Sequence, residues 1–413
     1  MRICKMMKKT YFNIYNFLRG IGALSVLIFH TAWLCSVYAP SINNIPFPFY
    51  MPAWGAVWMF FMISGYLLGK AFVSGRYKVD TIEDIGRFYL SRAIRILPIY
   101  YFVFFIDLFF VNTPLYLSFD NHLLVKCLLL SITPTSTTGM IGNLWFVCTI
   151  IRLYLLTPVI YVVIIKIREK CNHKRLFCLG ILFLLCSVSF YFRFSLLGKQ
   201  NWSDFIYSKW FFNLDFYGGG IILSLLFTND KESSLKRIMR FVSLGLFFVF
   251  LVYESFCMKK HWMLDVGAED LKVYAPCILF FLIALILWSF SSEVQRNRET
   301  VLEKRERSFI WRGLCMIFSL PVYFIVFCGK ISMGMYVSHS QTISNLLQRF
   351  SHQTDKTFVI LGNTIIITSE VKNFSAILIF ALVFSFIWGC IVHYMLERPL
   401  DILRSIYKDE DKD

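Results

Sequence analysis

Two ionisable side chains lie within the first long apolar segment of the chain, where lipid makes a charge costly. Arg19 and His30 are separated by ten residues. In a helix, an offset of eleven positions is about 16 Å of rise and within about 20° of the same face. Arg19 is therefore expected near the membrane surface and His30 deep in the bilayer. Such residues indicate a functional site. Taken alone, the pair has a simpler explanation: the arginine extends to the headgroups and the histidine bonds a neighbouring helix.

A pair of arginines precedes the third apolar segment. Arg92 and Arg95 are three positions apart, so a helix would place them on one face at its cytoplasmic end. Guanidinium groups hold phosphate oxygens through paired hydrogen bonds, and Arg19 begins the first helix on the same side. Three arginines at the cytoplasmic ends of these helices could bind a polyphosphate. Anchoring of a helix end by positive charge, however, explains most arginines at such positions.

Two further polar residues lie well inside predicted helices. Arg152 falls within an apolar segment, where an arginine must meet a partner or line a wet cavity. Asp107 and Asp215 are the clearest carboxylates in apolar runs and are its candidate partners. His339 is the second imidazole inside a helix. A hydrogen bond between helices would explain it at least as well as a role in catalysis.

The composition is that of an integral membrane protein. Of 413 residues, 57% are hydrophobic and only 16% are charged, against about 25% in soluble domains, and the mean hydropathy is +0.61. The net charge of +16 is concentrated between apolar runs, so it indicates orientation in the membrane rather than nucleic-acid binding. Twelve cysteines without a Cys-x-x-Cys pair predict neither a disulfide framework nor a metal site.

Apolar runs and charge together predict an all-α polytopic bundle in membrane lipid, forming a single domain over residues 1–413. Runs of about 20 apolar residues suffice to span a bilayer. We place about ten spanning helices, near 14–36, 52–70, 97–111, 144–165, 176–194, 210–228, 241–258, 273–291, 328–348 and 374–396. Loops on one side then carry about three times as many Lys and Arg residues as those on the other, which places both termini and the tail 397–413 in the cytoplasm.

Two weaker apolar stretches are predicted not to cross. Letting 123–133 cross would reverse the charge asymmetry of every later loop, so we interpret it as re-entrant or interfacial. The stretch 313–327 is interpreted as an in-plane helix on the cytoplasmic face.

Six short segments, each weak alone, occur in a specific order along almost the whole chain. They are Phe17-Leu18-Arg19-Gly20 through His30, Phe60 to Leu67, Arg92 and Arg95 with Pro98, Leu144-Trp145-Phe146, Ile331 to His339, and Glu397-Arg398-Pro399. Together they resemble the membrane-bound acyltransferase-3 proteins, which acylate glycans and other cell-envelope molecules. We interpret the Glu-Arg-Pro turn itself as structural.

Two positions depart from the pattern of that family. Asn16 stands where the family often has Asp, three residues before the first-helix arginine. Ile150 and Ile151 stand where many members carry Glu. The carboxylate partner that His30 would be expected to have is therefore not identified.

The resemblance implies transfer of an acyl group, usually acetyl, from cytoplasmic acyl-CoA to a hydroxyl of a cell-envelope glycan or polysaccharide. The co-substrate would be acetyl-CoA, with no metal, and the setting the inner (plasma) membrane of a bacterial cell. On this hypothesis Arg19, Arg92 and Arg95 bind the phosphates of the coenzyme, and neutral His30 is the general base.

The remaining site predictions concern the acceptor. Arg152, His339 and Trp145 are expected to bind the acceptor or the oxyanion that forms during acyl transfer. Two rival functions stay open at this point. A transporter or flippase of a glycan or lipid-linked saccharide would also line its route with intramembrane charges. A scaffold with decayed catalytic residues would explain Asn16 and the missing Glu.

Overall fold

The computed structural model describes residues 13–38, 45–111, 123–132, 139–196, 209–228, 230–264, 273–291, 309–351, 356–360, 363–367 and 374–402. Within these ranges the chain is a bundle of α-helices with one short antiparallel hairpin, so the helical-bundle prediction is confirmed. The predicted tail beyond 402 lies outside the described residues.

Twelve α-helices lie within the described ranges. In chain order they are α1 (Ile14–Tyr38), α2 (Ala53–Val73), α3 (Ile82–Ile106), α4 (Leu123–Leu128), α5 (Gly139–Lys170), α6 (Lys174–Ser195), α7 (Leu214–Leu226), α8 (Ser234–Leu264), α9 (Ala275–Ser289), α10 (Phe309–Lys330), α11 (Ser332–Ser351) and α12 (Phe374–Val392). The hairpin pairs β1 (Lys356–Ile360) with β2 (Asn363–Ile367). Helical turns of other types are Phe47–Phe49, Trp210–Asn213, Asp107–Val111 and His393–Glu397.

The number of helices able to cross a membrane is smaller than predicted. Among the described residues, six helices are long and apolar enough, and a bent pair would make a seventh. The count of ten is therefore not confirmed, because α7 and α9 are apolar but short and α3 carries charges in its first half. Helix α4 has six residues and cannot span a bilayer of about 30 Å, as expected for the stretch 123–133.

The segment from 309 to 351 differs from its prediction in two ways. The spanning helix expected near 328–348 is not one continuous helix, because the chain bends by 76° between Leu320–Lys330 and Ser332–Ser340. The stretch 313–327, expected to be an in-plane helix of its own, is part of a longer helix. It belongs to α10, whose C-terminal half lies antiparallel against α1. Hydropathy and charge counts miss such a break, since both arms are apolar and the break takes a single residue.

Close backbone approaches fix the direction of α10. A β-carbon at Gly20 would collide with the carbonyl oxygen of Ile325, and one at Gly329 would collide with that of Asn16. The two helices are therefore antiparallel along this contact. After the bend, α11 also packs against α1, so both arms of the break contact the helix that carries Arg19 and His30.

A buried ion pair joins α6 and α7. Arg193 of α6 and Asp215 of α7 lie 2.7 Å apart with side chains 2% and 4% exposed. Ser189 donates to the same carboxylate at 2.8 Å, and the guanidinium stacks 5.2 Å from the Trp58 ring of α2. Burial of both charges in an apolar bundle is tolerable only because each is paired.

The α1–α10 contact gives a stability prediction. Replacing Gly20 by Val places a branched side chain against backbone atoms that cannot rotate away, so we expect a loss of about 3 kcal/mol of folding free energy. Gly245→Val is the matched control, because nothing lies within 4 Å of a β-carbon there. Thermal unfolding in detergent, followed by intrinsic fluorescence, measures both. Equal midpoints for the two variants would contradict the packing described.

Candidate functional site

A cavity of about 260 Å³ opens beside the first half of α1. Its walls come from α1, α2, α3, α5, the α10–α11 break and the end of α12. Volumes of a few hundred Å³ are typical of small-molecule sites. The break at Ile331 matters here, because it brings Lys330 and Ser332 to the cavity wall opposite Arg19.

The cavity carries positive charge at one part of its wall. Arg19 of α1 is partly buried, and Arg95 of α3 and Lys330 are exposed. Among the residues that the structure describes, neither guanidinium has a hydrogen-bond or ion-pair partner. The nearby carboxylate of Glu397 is engaged by His393 Nδ1 at 2.6 Å instead. Two guanidiniums facing one cavity are well suited to an anion with several oxygens.

Arg92 is placed away from this cavity, although Arg95 lines it. Its side chain is buried and donates to the hydroxyl of Tyr77. Its guanidinium also lies 5.8 Å from the ring of Tyr154, which does line the cavity. Of the three predicted arginines, the structure thus brings Arg19 and Arg95 together at the cavity. Arg92 lies outside the cavity lining, next to Tyr154.

His30 lies deeper along α1 and meets the second predicted histidine. His30 Nδ1 is 3.2 Å from His339 Nε2, and the ring centroids are 4.8 Å apart. His339 is 1% exposed, whereas His30 is only partly buried. The bend at Ile331 permits this contact, since α11 packs against α1 beyond it and carries His339 in its second turn.

The hydrogen bond of His30 to its own helix indicates which nitrogen carries the proton. Nδ1 lies 2.9 Å from the carbonyl oxygen of Val26, which can only accept. The neutral ring therefore bears its hydrogen on Nδ1, and the lone pair is on Nε2. A lone pair on an imidazole is the group required of a general base.

An aromatic wall separates the cavity from the histidine pair. Phe60, Phe146 and Tyr336 line the cavity, and neither histidine does. The Phe146 ring packs 5.2 Å from that of Tyr336, whose ring is 5.6 Å from His339. The side chain of Tyr336 therefore stands directly between the cavity and His339.

The polar residues around His339 form a small network that the sequence did not reveal. Asn143 of α5 donates to the carbonyl oxygen of Tyr336 at 3.3 Å and accepts from Ser340 at 2.9 Å. Ser340 Oγ is also 3.4 Å from His339 Nε2. The one available signal was the position of Asn143, two residues before Trp145 in the Trp-Phe segment.

The predicted acceptor residues on α5 have partners of their own. Arg152 donates to the carbonyl oxygen of Leu130 at 3.1 Å. The suggestion that Asp215 pairs with Arg152 is wrong, because Asp215 pairs with Arg193. Asp107, the other candidate, is fully buried at the end of α3. Trp145 is buried with its ring edge-on to Phe146, outside the cavity lining. Acceptor binding by Arg152 and Trp145 stays a prediction.

The end of α12 contributes more than the structural turn expected for Glu-Arg-Pro. His393 and Glu397 both face the cavity from the π-helical turn His393–Glu397, followed by Asp401. Their spacing of four residues would have indicated a shared helical face. Among the described residues, no group of three His, Cys, Asp or Glu side chains could hold a metal ion.

Comparison with known proteins identifies one family. Residues 12–395 match the model of the third acyltransferase family, described as an acyltransferase domain. No curated protein and no solved structure matches the chain.

Proposed function

The chain is an acyltransferase of the membrane-bound acyltransferase-3 family, and we propose that it moves an acyl group from acyl-CoA to a hydroxyl of a cell-envelope glycan. The donor is acetyl-CoA, bound from the cytoplasm. The enzyme resides in the inner (plasma) membrane of a bacterial cell as a multi-pass protein. The remaining questions are which residues bind each substrate and which one moves the proton.

One observation carries the proposal: two guanidiniums with no hydrogen bond or close ion pair among the described residues face a cavity, and an imidazole lies further along the helix that bears one of them. Arg19 and His30 belong to one uninterrupted helix, about 16 Å apart along its axis. A donor with a phosphate-bearing end and a long arm ending in a thioester matches that arrangement. Its anionic end rests on Arg19 and Arg95, and its reactive end extends toward His30.

The chemistry follows from the neutral state of His30. Nε2 accepts the proton of the acceptor hydroxyl as that oxygen attacks the thioester carbonyl carbon. A new C–O bond forms, the C–S bond breaks, and the proton passes from Nε2 to the departing sulfur. The products are the O-acyl glycan and free coenzyme thiol, so no net proton is gained or lost.

The acyl end of the donor must pass the aromatic wall to reach His30. Phe60, Phe146 and Tyr336 would enclose the thioester on the way and exclude water, which would otherwise hydrolyse it. The acceptor then approaches from the opposite membrane face, where α1 continues beyond His30 to Tyr38.

The assignment of the base is tested by His30→Gln. We expect transfer of radiolabelled acetyl from acetyl-CoA into envelope glycan to fall by about 10²- to 10⁴-fold in isolated membranes, because the proton acceptor is lost. Release of free coenzyme thiol should fall in parallel, which separates an enzyme from a transporter. Thr31→Val is the matched control, since the Thr31 hydroxyl only bonds the carbonyl oxygen of Leu27. Full activity of a normally expressed His30→Gln protein would refute the assignment.

The anion site is tested by Arg95→Gln. Loss of one charge-assisted contact to phosphate should raise KM for acetyl-CoA by about 10- to 100-fold, with kcat little changed. Arg87→Gln removes the same charge from the same helix at an exposed position outside the cavity, and should leave KM within about 2-fold. Equal KM values for the two variants would show that the donor binds elsewhere.

A further inference from the structure

We propose that His339 is a positioning residue for His30, held in place by Asn143, and that it performs the role for which a carboxylate would otherwise be expected. The catalytic consequence rests on the proposed function, but the arrangement of protons can be measured without any turnover.

The first step fixes the orientation of His339. Its Nδ1 faces the carbonyl oxygen of Tyr336 in the preceding turn of α11. A carbonyl oxygen only accepts, so the hydrogen of neutral His339 is on Nδ1. Its Nε2 therefore carries a lone pair, and that lone pair points at His30 Nδ1 across 3.2 Å.

The second step concerns His30, whose Nδ1 is shared between two acceptors. One is the carbonyl oxygen of Val26 at 2.9 Å and the other is His339 Nε2. Both require a hydrogen on Nδ1, so they agree on a single tautomer. The bond along α1 sets the proton position, and the bond from α11 sets the angle of the ring, so the lone pair on Nε2 is left to accept a proton.

The third step considers the charge that appears during reaction. When His30 takes a proton on Nε2 the ring becomes a cation, and its Nδ1–H bond to His339 becomes charge-assisted and stronger. A carboxylate would stabilise that cation more, but it would be a permanent buried negative charge inside the bilayer. A neutral imidazole avoids that cost, which fits Ile150 and Ile151 at the positions where many members of the family carry Glu.

Asn143 keeps His339 in this orientation. It spans from α5 to α11, where its amide nitrogen reaches the Tyr336 carbonyl at 3.3 Å and its amide oxygen takes the Ser340 hydroxyl at 2.9 Å. The same Tyr336 carbonyl accepts from His339 Nδ1. Because both ring nitrogens of His339 are engaged by the protein, neither is available to the acceptor substrate in this arrangement.

The arrangement of protons is tested by solid-state NMR on protein with 15N-labelled histidine in lipid nanodiscs. The chain has seven histidines, and spectra of His30→Gln and His339→Gln assign the two of interest. We expect both rings neutral and protonated on Nδ1, with a 15N–15N coupling across the hydrogen bond from His30 Nδ1 to His339 Nε2. A His30 ring protonated on Nε2, a cationic His339 or no coupling would overturn the proposal.

Kinetics separate positioning from a merely structural role. His339→Leu should lower kcat by about 10- to 100-fold, the usual cost of removing a group that orients another, with KM for acetyl-CoA unchanged within 2-fold. His339→Gln can again present an acceptor atom to His30 Nδ1 and should recover most of the loss. Thr342→Val on the same helix removes a hydroxyl that only bonds the Ser338 carbonyl and is the control.

The outcomes distinguish this proposal from the function on which it rests. Equal loss in His339→Leu and His339→Gln, or a raised KM in both, would assign His339 a structural or substrate-binding role and overturn the positioning role. An active His30→Gln enzyme would instead refute the catalytic base while leaving the NMR result intact.

Discussion

A polar group inside a bilayer must find its partner within the protein, and this constraint accounts for the arrangement around α1. Arg19 and His30 are on one helix, so the helices beside it have to supply a polar environment at two depths. A single straight helix beside α1 would approach Arg19 and His30 at one crossing angle. The broken pair α10–α11 approaches them at two angles. The end of α10 reaches the level of Arg19, and α11 carries His339 to the level of His30.

The same break connects the parts of the site. Lys330 and Ser332 on its two sides line the cavity with the arginines, and Tyr336, one turn further, forms part of the aromatic wall. The backbone carbonyl of Tyr336 then orients His339, which orients His30. A change in the α10–α11 angle would therefore alter the cavity, the aromatic wall and the position of the His30 ring together. Gly20 and Gly329 permit the close backbone contact between α1 and α10, the first arm of the break.

Sequence reasoning predicted the features that depend on residue type and helical spacing. The stripe from Arg19 to His30, the helical bundle and the family followed from local pattern, because one continuous helix fixes relative positions along it. It failed where the outcome depends on how helices meet. Arg92 and Arg95 share a predicted face, yet packing of Arg92 against Tyr77 removes it from the cavity. Asp215 pairs with Arg193 of another helix, and sequence spacing alone does not predict a contact between two separate helices.

The pairing of His30 with His339 spans 309 positions and depends on a one-residue break, so hydropathy could not reveal it. We propose that the cavity, the aromatic wall and the histidine pair form one route for a thioester. A cryo-EM structure with a non-hydrolysable acyl-CoA thioether bound tests it most directly. The account predicts phosphate density at Arg19 and Arg95, with the arm passing between Phe60, Phe146 and Tyr336 so that the acyl carbon lies near His30 Nε2. Coenzyme density outside this cavity, or an acyl end directed away from His30, would contradict it.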